Sequence, residues 1–120
     1  MATFSKVLLS GSTGGRPIPI SATGGTGSLI HTTGVTGSIK DEIWLYATNL
    51  SGGTESLYLT YGGSATGDQM TVGVPALSGL SIVLPGTILT GNNTTGSEIR
   101  ATASRTNVIN VTGYVNRIEP

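Results

Sequence analysis

The chain has 120 residues, enough for one domain with a modest core. Six basic and six acidic residues cancel, and only 10% of the chain is charged, which argues against a DNA-binding face, since that needs a basic stripe, and against a polybasic membrane contact. There is no Cys, so disulfide and thiolate chemistry are excluded, and a single His excludes a two-His metal site.

Gly, Thr and Ser supply 51 of the 120 residues, a composition that suits turns and strands rather than helices. Recurrent Val, Ile and Leu argue against disorder despite the low charge. The N-terminal hydrophobic run is too short for a signal peptide or a membrane span, so synthesis in a cytoplasm is the expectation.

Residues 4–9 (FSKVLL) read as a first strand, ended by a Gly/Ser loop over 10–15. Residues 16–21 (RPIPIS) are extended, because Pro fixes φ and biases its predecessor towards β. Two alternate Pro remove N–H groups on one side, so the stretch is expected at an edge, and residues 1–20 could form an arm or edge segment. A Gly/Thr loop over 22–27 leads to a short strand over 28–32 (SLIHT).

Residues 40–63 carry Trp44, the only Trp, and three of the four Tyr. Two strands over 42–48 and 56–61, joined by the turn-rich 49–54, read as a hairpin; the alternatives are that both faces are buried inside one sandwich or that the two strands lie in different sheets. Alternation puts Ile43, Leu45 and Ala47 on one face of the first strand, and Leu57, Leu59 and Tyr61 on one face of the second. That aliphatic face is expected to be core. Trp44, Tyr46 and Tyr58 point the other way and form an aromatic face with polar tips, the kind of surface that another subunit covers.

Further strands are expected over 69–74, with Met70, Val72 and Val74 inward, then 80–84, a short 87–89, 97–103 and 107–118. Gly113 in the last is a candidate bulge. Eight or nine short strands with a turn about every ten residues predict an all-β, antiparallel sandwich or jelly roll forming a single domain over 1–120.

Little here suggests catalysis. His31 reads as a partly exposed structural residue in a strand. Asp41 and Glu42 are strand neighbours pointing to opposite faces, which suits the start of a strand better than an acid/base pair. The chain holds no nucleophile elbow, phosphate loop or calcium loop. Arg100, Arg105, Arg117 and Glu98 fit inter-strand or inter-subunit ion pairs. The expectation is a non-enzyme without metal or cofactor.

Several phrases together resemble small structural proteins encoded among the head genes of tailed bacteriophages: 15–18 (GRPI), 30–32 (IHT), 41–49 (DEIWLYATN), 75–80 (PALSGL), 83–86 (VLPG) and 113–118 (GYVNRI). The resemblance implies a β-sandwich decoration, or cement, protein. Such a protein would be made in the host cytoplasm and sit on the outer capsid surface of the virion. It would form a homotrimer at threefold and quasi-threefold positions, and its partner would be the major capsid protein. The subunit interface is then expected at Trp44, Tyr46 and Tyr58, with Arg100 and Arg117 as polar rim. Capsid contact is expected through the N-terminal segment, at Phe4, Arg16, Pro17 and Ile18. The alternative is a carbohydrate- or receptor-binding module of a phage fibre or spike, in which Trp44 stacks on a sugar. A head-completion or tail-tube component is a third reading.

Overall fold

The computed structural model describes residues 2–77 and 79–120, so Met1 of the N-terminal segment and Ser78 of the 75–80 phrase lie outside the described residues. The described chain forms nine strands: β1 (Thr3–Leu8), β2 (Ile18–Pro19), β3 (Ser28–Thr32), β4 (Lys40–Asn49), β5 (Glu55–Tyr61), β6 (Gln69–Val74), β7 (Ser81–Thr90), β8 (Glu98–Ala103) and β9 (Ile109–Glu119). A single 3-10 turn, Thr66–Asp68, precedes β6.

The pairings are nested. β5 pairs with β6, β4 with β7, β3 with β8 and β1 with β9, all antiparallel. The chain is therefore one long hairpin doubled back at residues 62–68. It then rolls up, because each half carries an apolar face that only another sheet can cover. Rolling adds the pairs β4–β9 and β5–β8. The result is two sheets with orders β1-β9-β4-β7 (sheet I) and β3-β8-β5-β6 (sheet II), and β2 also pairs with β9. This order is a jelly roll, as the turn spacing predicts.

The expected hairpin of residues 42–61 does not form: β4 belongs to sheet I and β5 to sheet II. Asn49 turns the chain between them. Its buried side chain donates to the Gly53 and Val74 carbonyls, both at 2.9 Å, and accepts from the backbone N–H and the hydroxyl of Ser51. These bonds satisfy a corner that crosses between layers, so 49–54 is a bridge rather than a hairpin turn.

Between the layers lie Ile43, Leu45 and Ala47 from β4 and Ile109, Val111 and Val115 from β9. Opposite them are Leu57 and Leu59 from β5, and Ile99, Ala101 and Ala103 from β8. The aliphatic face is thus the core face, and each such large side chain contributes about 1.5–3 kcal/mol by leaving water. Met70, Val72 and Val74 of β6 turn inward as expected.

Three details differ from the sequence reading. First, β7 runs unbroken through Pro85-Gly86. It lies at the sheet edge, where a missing N–H is tolerated, and it absorbs the irregularity in two register shifts against β4. Second, Gly113 is no bulge, since β9 stays in register with β4 through Leu45–Gly113. Its glycine is needed because a Cβ there would collide with the Trp44 carbonyl oxygen. Third, of the two expectations for the N-terminal segment, residues 2–20 follow the edge reading and not the arm. Leu9, Ile18 and Ile20 are core residues, and β1 and β2 both pair with β9.

Candidate functional site

The register of sheet I determines what its outer face presents. Alternation sends the even positions of β4 outward, and the partners of those positions in β9, β1 and β7 go with them. Three rows cross the sheet. Phe4, Ile118, Lys40 and Thr90 form one; Lys6, Asn116, Glu42 and Ile88 the next; Leu8, Tyr114, Trp44 and Pro85 the third. Beyond them, Tyr46 sits beside Thr112 and Ile82.

Trp44 and Tyr114 are direct cross-strand partners, and their rings lie 6.2 Å apart between centroids with planes 13° from parallel. That is an offset stack. The Lys6 ammonium sits 4.9 Å from the Tyr114 ring centre, a cation–π contact. On the other side the indole Nε1–H donates to Glu42 Oε1 at 2.6 Å, and Asn116 Nδ2 donates to the same oxygen at 3.2 Å. These bonds hold the Glu42 carboxyl below its usual range, the indole hydrogen bond being the larger cause. Gly86 completes the arrangement. At φ +84 it lies under the indole, where a Cβ would come within 2.8 Å of the ring. Trp44 is therefore held in one posture by contacts within its own chain. Around it Phe4 is 71% exposed, Ile82 61%, and Leu8 and Ile88 54% each. These four apolar side chains have no cover within the described chain.

The aromatic residues expected to share one face are divided by the fold. Trp44 and Tyr46 lie on the outside of sheet I. Tyr58 lies on the outside of sheet II, in register with Thr102 and Thr71, and Arg100 lies near it beside Thr60. The cause is the crossing at 49–54, which places the two strands in opposite layers. Arg117 belongs to neither outer face. Its register partner in β4 is Asp41, and both point to the inner side at one end of the sandwich. Tyr114, Lys6 and Asn116 were not singled out from the sequence, although the alternation of β9 around Val115 marks Tyr114 as outward.

The Asp41 end is a buried polar network. Arg117 Nε donates to Asp41 Oδ1 at 2.8 Å and Nη2 to Oδ2 at 2.9 Å. His31 Nε2 lies 2.8 Å from Asp41 Oδ2, and the Ser10 backbone N–H donates to His31 Nδ1 at 3.1 Å. Since Nδ1 accepts, Nε2 carries the proton and donates to Asp41. Burial pushes the Asp41 carboxyl up, but the bonds from Arg117 and His31 outweigh it and the net shift is downward. The same pairing raises Arg117.

His31 is fully buried, not partly exposed. A register shift between Leu29 and His31 lets two consecutive residues, Ile30 and His31, both turn inward. Both imidazole nitrogens are engaged, so the ring offers no open position to a substrate. Its geometric effect is to tie β3 of sheet II to β4 of sheet I. Tyr61 makes a second tie, its hydroxyl meeting Thr87 Oγ1 of β7 at 2.9 Å, with burial raising its pKa.

Of the expected capsid contacts, Phe4, Arg16 and Pro17 are exposed, whereas Ile18 is buried against Val111 and cannot reach a partner directly. Ion pairs join Arg100 to Glu98 at 2.9 Å and Arg105 to Glu55 at 3.6 Å. Among the described residues no group of three His, Asp or Glu side chains could hold a metal ion, and no helix is long and apolar enough to cross a membrane. Comparison with protein-family models, with curated proteins and with solved structures returns no match.

Proposed function

We propose that this chain is a structural assembly subunit which decorates and braces the outside of a tailed-phage capsid as a homotrimer. The observation that carries the reading is the outer face of sheet I, where a pre-set aromatic platform lies among four uncovered apolar side chains. Exposed apolar area of this kind marks a surface meant for another protein. Rigid aromatic anchors make such a surface bind well, because little freedom is lost on contact.

The charges on this face suit self-association. Lys6 and Glu42 stand in the same row across three strands. A rotation axis parallel to the strands keeps rows at the same height, so Lys6 of one copy can meet Glu42 of the next. Three copies with this face towards the axis would bury Trp44, Tyr46 and Tyr114 together. Capsid contact is assigned to β1, the edge strand of sheet I, with Phe4 exposed on it and Arg16 and Pro17 on the loop that follows. An edge strand can accept a partner strand by main-chain pairing.

Release of DNA on heating tests this. Particles carrying the protein should hold their DNA to a higher temperature than particles without it, and a Trp44→Ala chain should lose that effect. Equal release temperatures would defeat the reading. The alternative, a sugar- or receptor-binding module using Trp44, is less well supported, since exposed aliphatic side chains flank the indole and its N–H is already bonded to Glu42.

A further inference from the structure

The two outer faces of the sandwich are chemically unlike. Sheet I presents aromatic and aliphatic side chains. At the centre of sheet II the outward positions form a small polar grid instead. Thr102, Tyr58 and Thr71 make one row across β8, β5 and β6, and Arg100, Thr60 and Gln69 make the next. Tyr58 is the aromatic member, 42% exposed.

This grid is the floor of a groove. Gly25 and Thr26 of the loop before β3 line it, and so do Gly62 to Ser64 after β5. The part over Tyr58 has a volume of about 250 Å3, and the adjoining part beside Arg100 and Glu98 about 590 Å3. Thr26, Thr60, Gln69 and Arg100 line both parts, so the groove is continuous. The adjoining part falls in the size range of small-molecule sites.

The groove holds one formal positive and one formal negative charge, and these are paired: Arg100 Nε meets Glu98 Oε1 at 2.9 Å. The pair is held in place by a further bond from Arg100 Nη1 to the Gly27 carbonyl at 3.3 Å. A phosphate or nucleic-acid backbone would meet the Glu98 carboxylate there, and no other cation lines the groove to offset it. The hydroxyls of Thr60, Thr71 and Thr102 and the amide of Gln69 make no hydrogen bond within the described chain. The site thus combines uncommitted donors and acceptors, an acid–guanidinium pair and one ring.

We propose that this groove binds an uncharged saccharide, with one sugar ring stacked on Tyr58 and its hydroxyls bonded to Thr60, Gln69 and the Arg100–Glu98 pair. A sugar matches each feature. Its C–H face is apolar and suits an aromatic ring. Its vicinal hydroxyls both donate and accept, as the paired Arg100 and Glu98 do. A peptide strand would instead need a sheet edge, and the floor here is made chiefly by the central strands β8 and β5. The site does not depend on the assembly reading, because it lies on the opposite face and stays open if sheet I is covered.

Saturation-transfer NMR on the full chain tests it. The probes are glucose, galactose, mannose, N-acetylglucosamine and their common disaccharides, with sialyllactose and glucose 6-phosphate as charged controls. At least one neutral sugar should receive saturation on its ring C–H protons. Tyr58→Ala should abolish the signal and Tyr58→Phe keep it. Arg100→Ala should weaken binding roughly tenfold, as loss of hydrogen bonds to a charged group does. Trp44→Ala should leave it unchanged. All three positions are at the surface, and the amide spectrum of each variant confirms that it folds. No transfer to any neutral sugar, binding of charged probes only, or a signal lost in Trp44→Ala but kept in Tyr58→Ala would each overturn the proposal.

Discussion

Asp41 and Arg117 stand directly opposite each other in the register of β4 and β9, and their side chains meet through two hydrogen bonds of 2.8 and 2.9 Å. Asp41 also accepts from His31 of the other sheet, so one buried carboxylate joins both layers. A buried charge of this kind is costly once a partner is removed. Arg117→Met should lower stability by about 3–5 kcal/mol, the usual cost of breaking a buried pair. The double variant Asp41→Leu, Arg117→Met should lose less than the sum of the two single changes. Urea unfolding of the set reads this directly, and additive losses would show that the two residues act separately.

The same network predicts an acid limb. The Asp41 pKa is lower in the folded chain than in the unfolded chain, so the folded state binds fewer protons there. Its contribution is complete above the ordinary carboxylate value of about 4 and is lost as pH falls through the lower folded value. Stability should therefore drop on acidification from pH 5 to pH 2, and Asp41→Asn should flatten that drop. Equal slopes in the two proteins would place the acid sensitivity elsewhere.

Leu45 is wholly buried at the centre of β4, while Thr48 of the same strand faces outward. Leu45→Ala should cost about 2–5 kcal/mol, the range for emptying a core site. Thr48→Ala should stay within about 0.5 kcal/mol, as surface changes do. Chemical denaturation distinguishes them, and similar losses would mean that the inward face of β4 is misassigned.

Gly86 sets the posture of the only Trp. An Ala there must adopt φ +84, which costs about 1–2 kcal/mol, and its Cβ would push on the indole. Gly86→Ala should both destabilise the chain and shift Trp44 fluorescence, which has no other Trp to obscure it. Unchanged emission would show that the ring does not rest on this glycine.

The strands, their inward faces and the jelly-roll class were legible because a period-2 pattern reports burial at each residue. Ile43, Leu45 and Ala47 are an example, and Met70, Val72 and Val74 another. The partnership of strands was not legible. The run 49–54 looks like a hairpin turn, and only the buried bonds of the Asn49 side chain make it a bridge between layers. That single difference moved Tyr58 away from Trp44. The inward turn of His31 was hidden for a related reason: it depends on a register shift opposite Arg100 and Ile99, in a strand far downstream. Asp41 read as a strand-start acid because its two partners come from β3 and β9. Ile18 read as a surface residue because two prolines flank it, although β9 buries it.

The central claim is that copies of this chain meet through the outer face of sheet I. Sedimentation equilibrium on the wild type and on Trp44→Ala and Tyr114→Ala tests it most directly. The account predicts a wild-type mass three times the 12.1 kDa of one chain, and a shift towards monomer in both variants. A wild type that remains at 12.1 kDa, or a trimer indifferent to both substitutions, would contradict it.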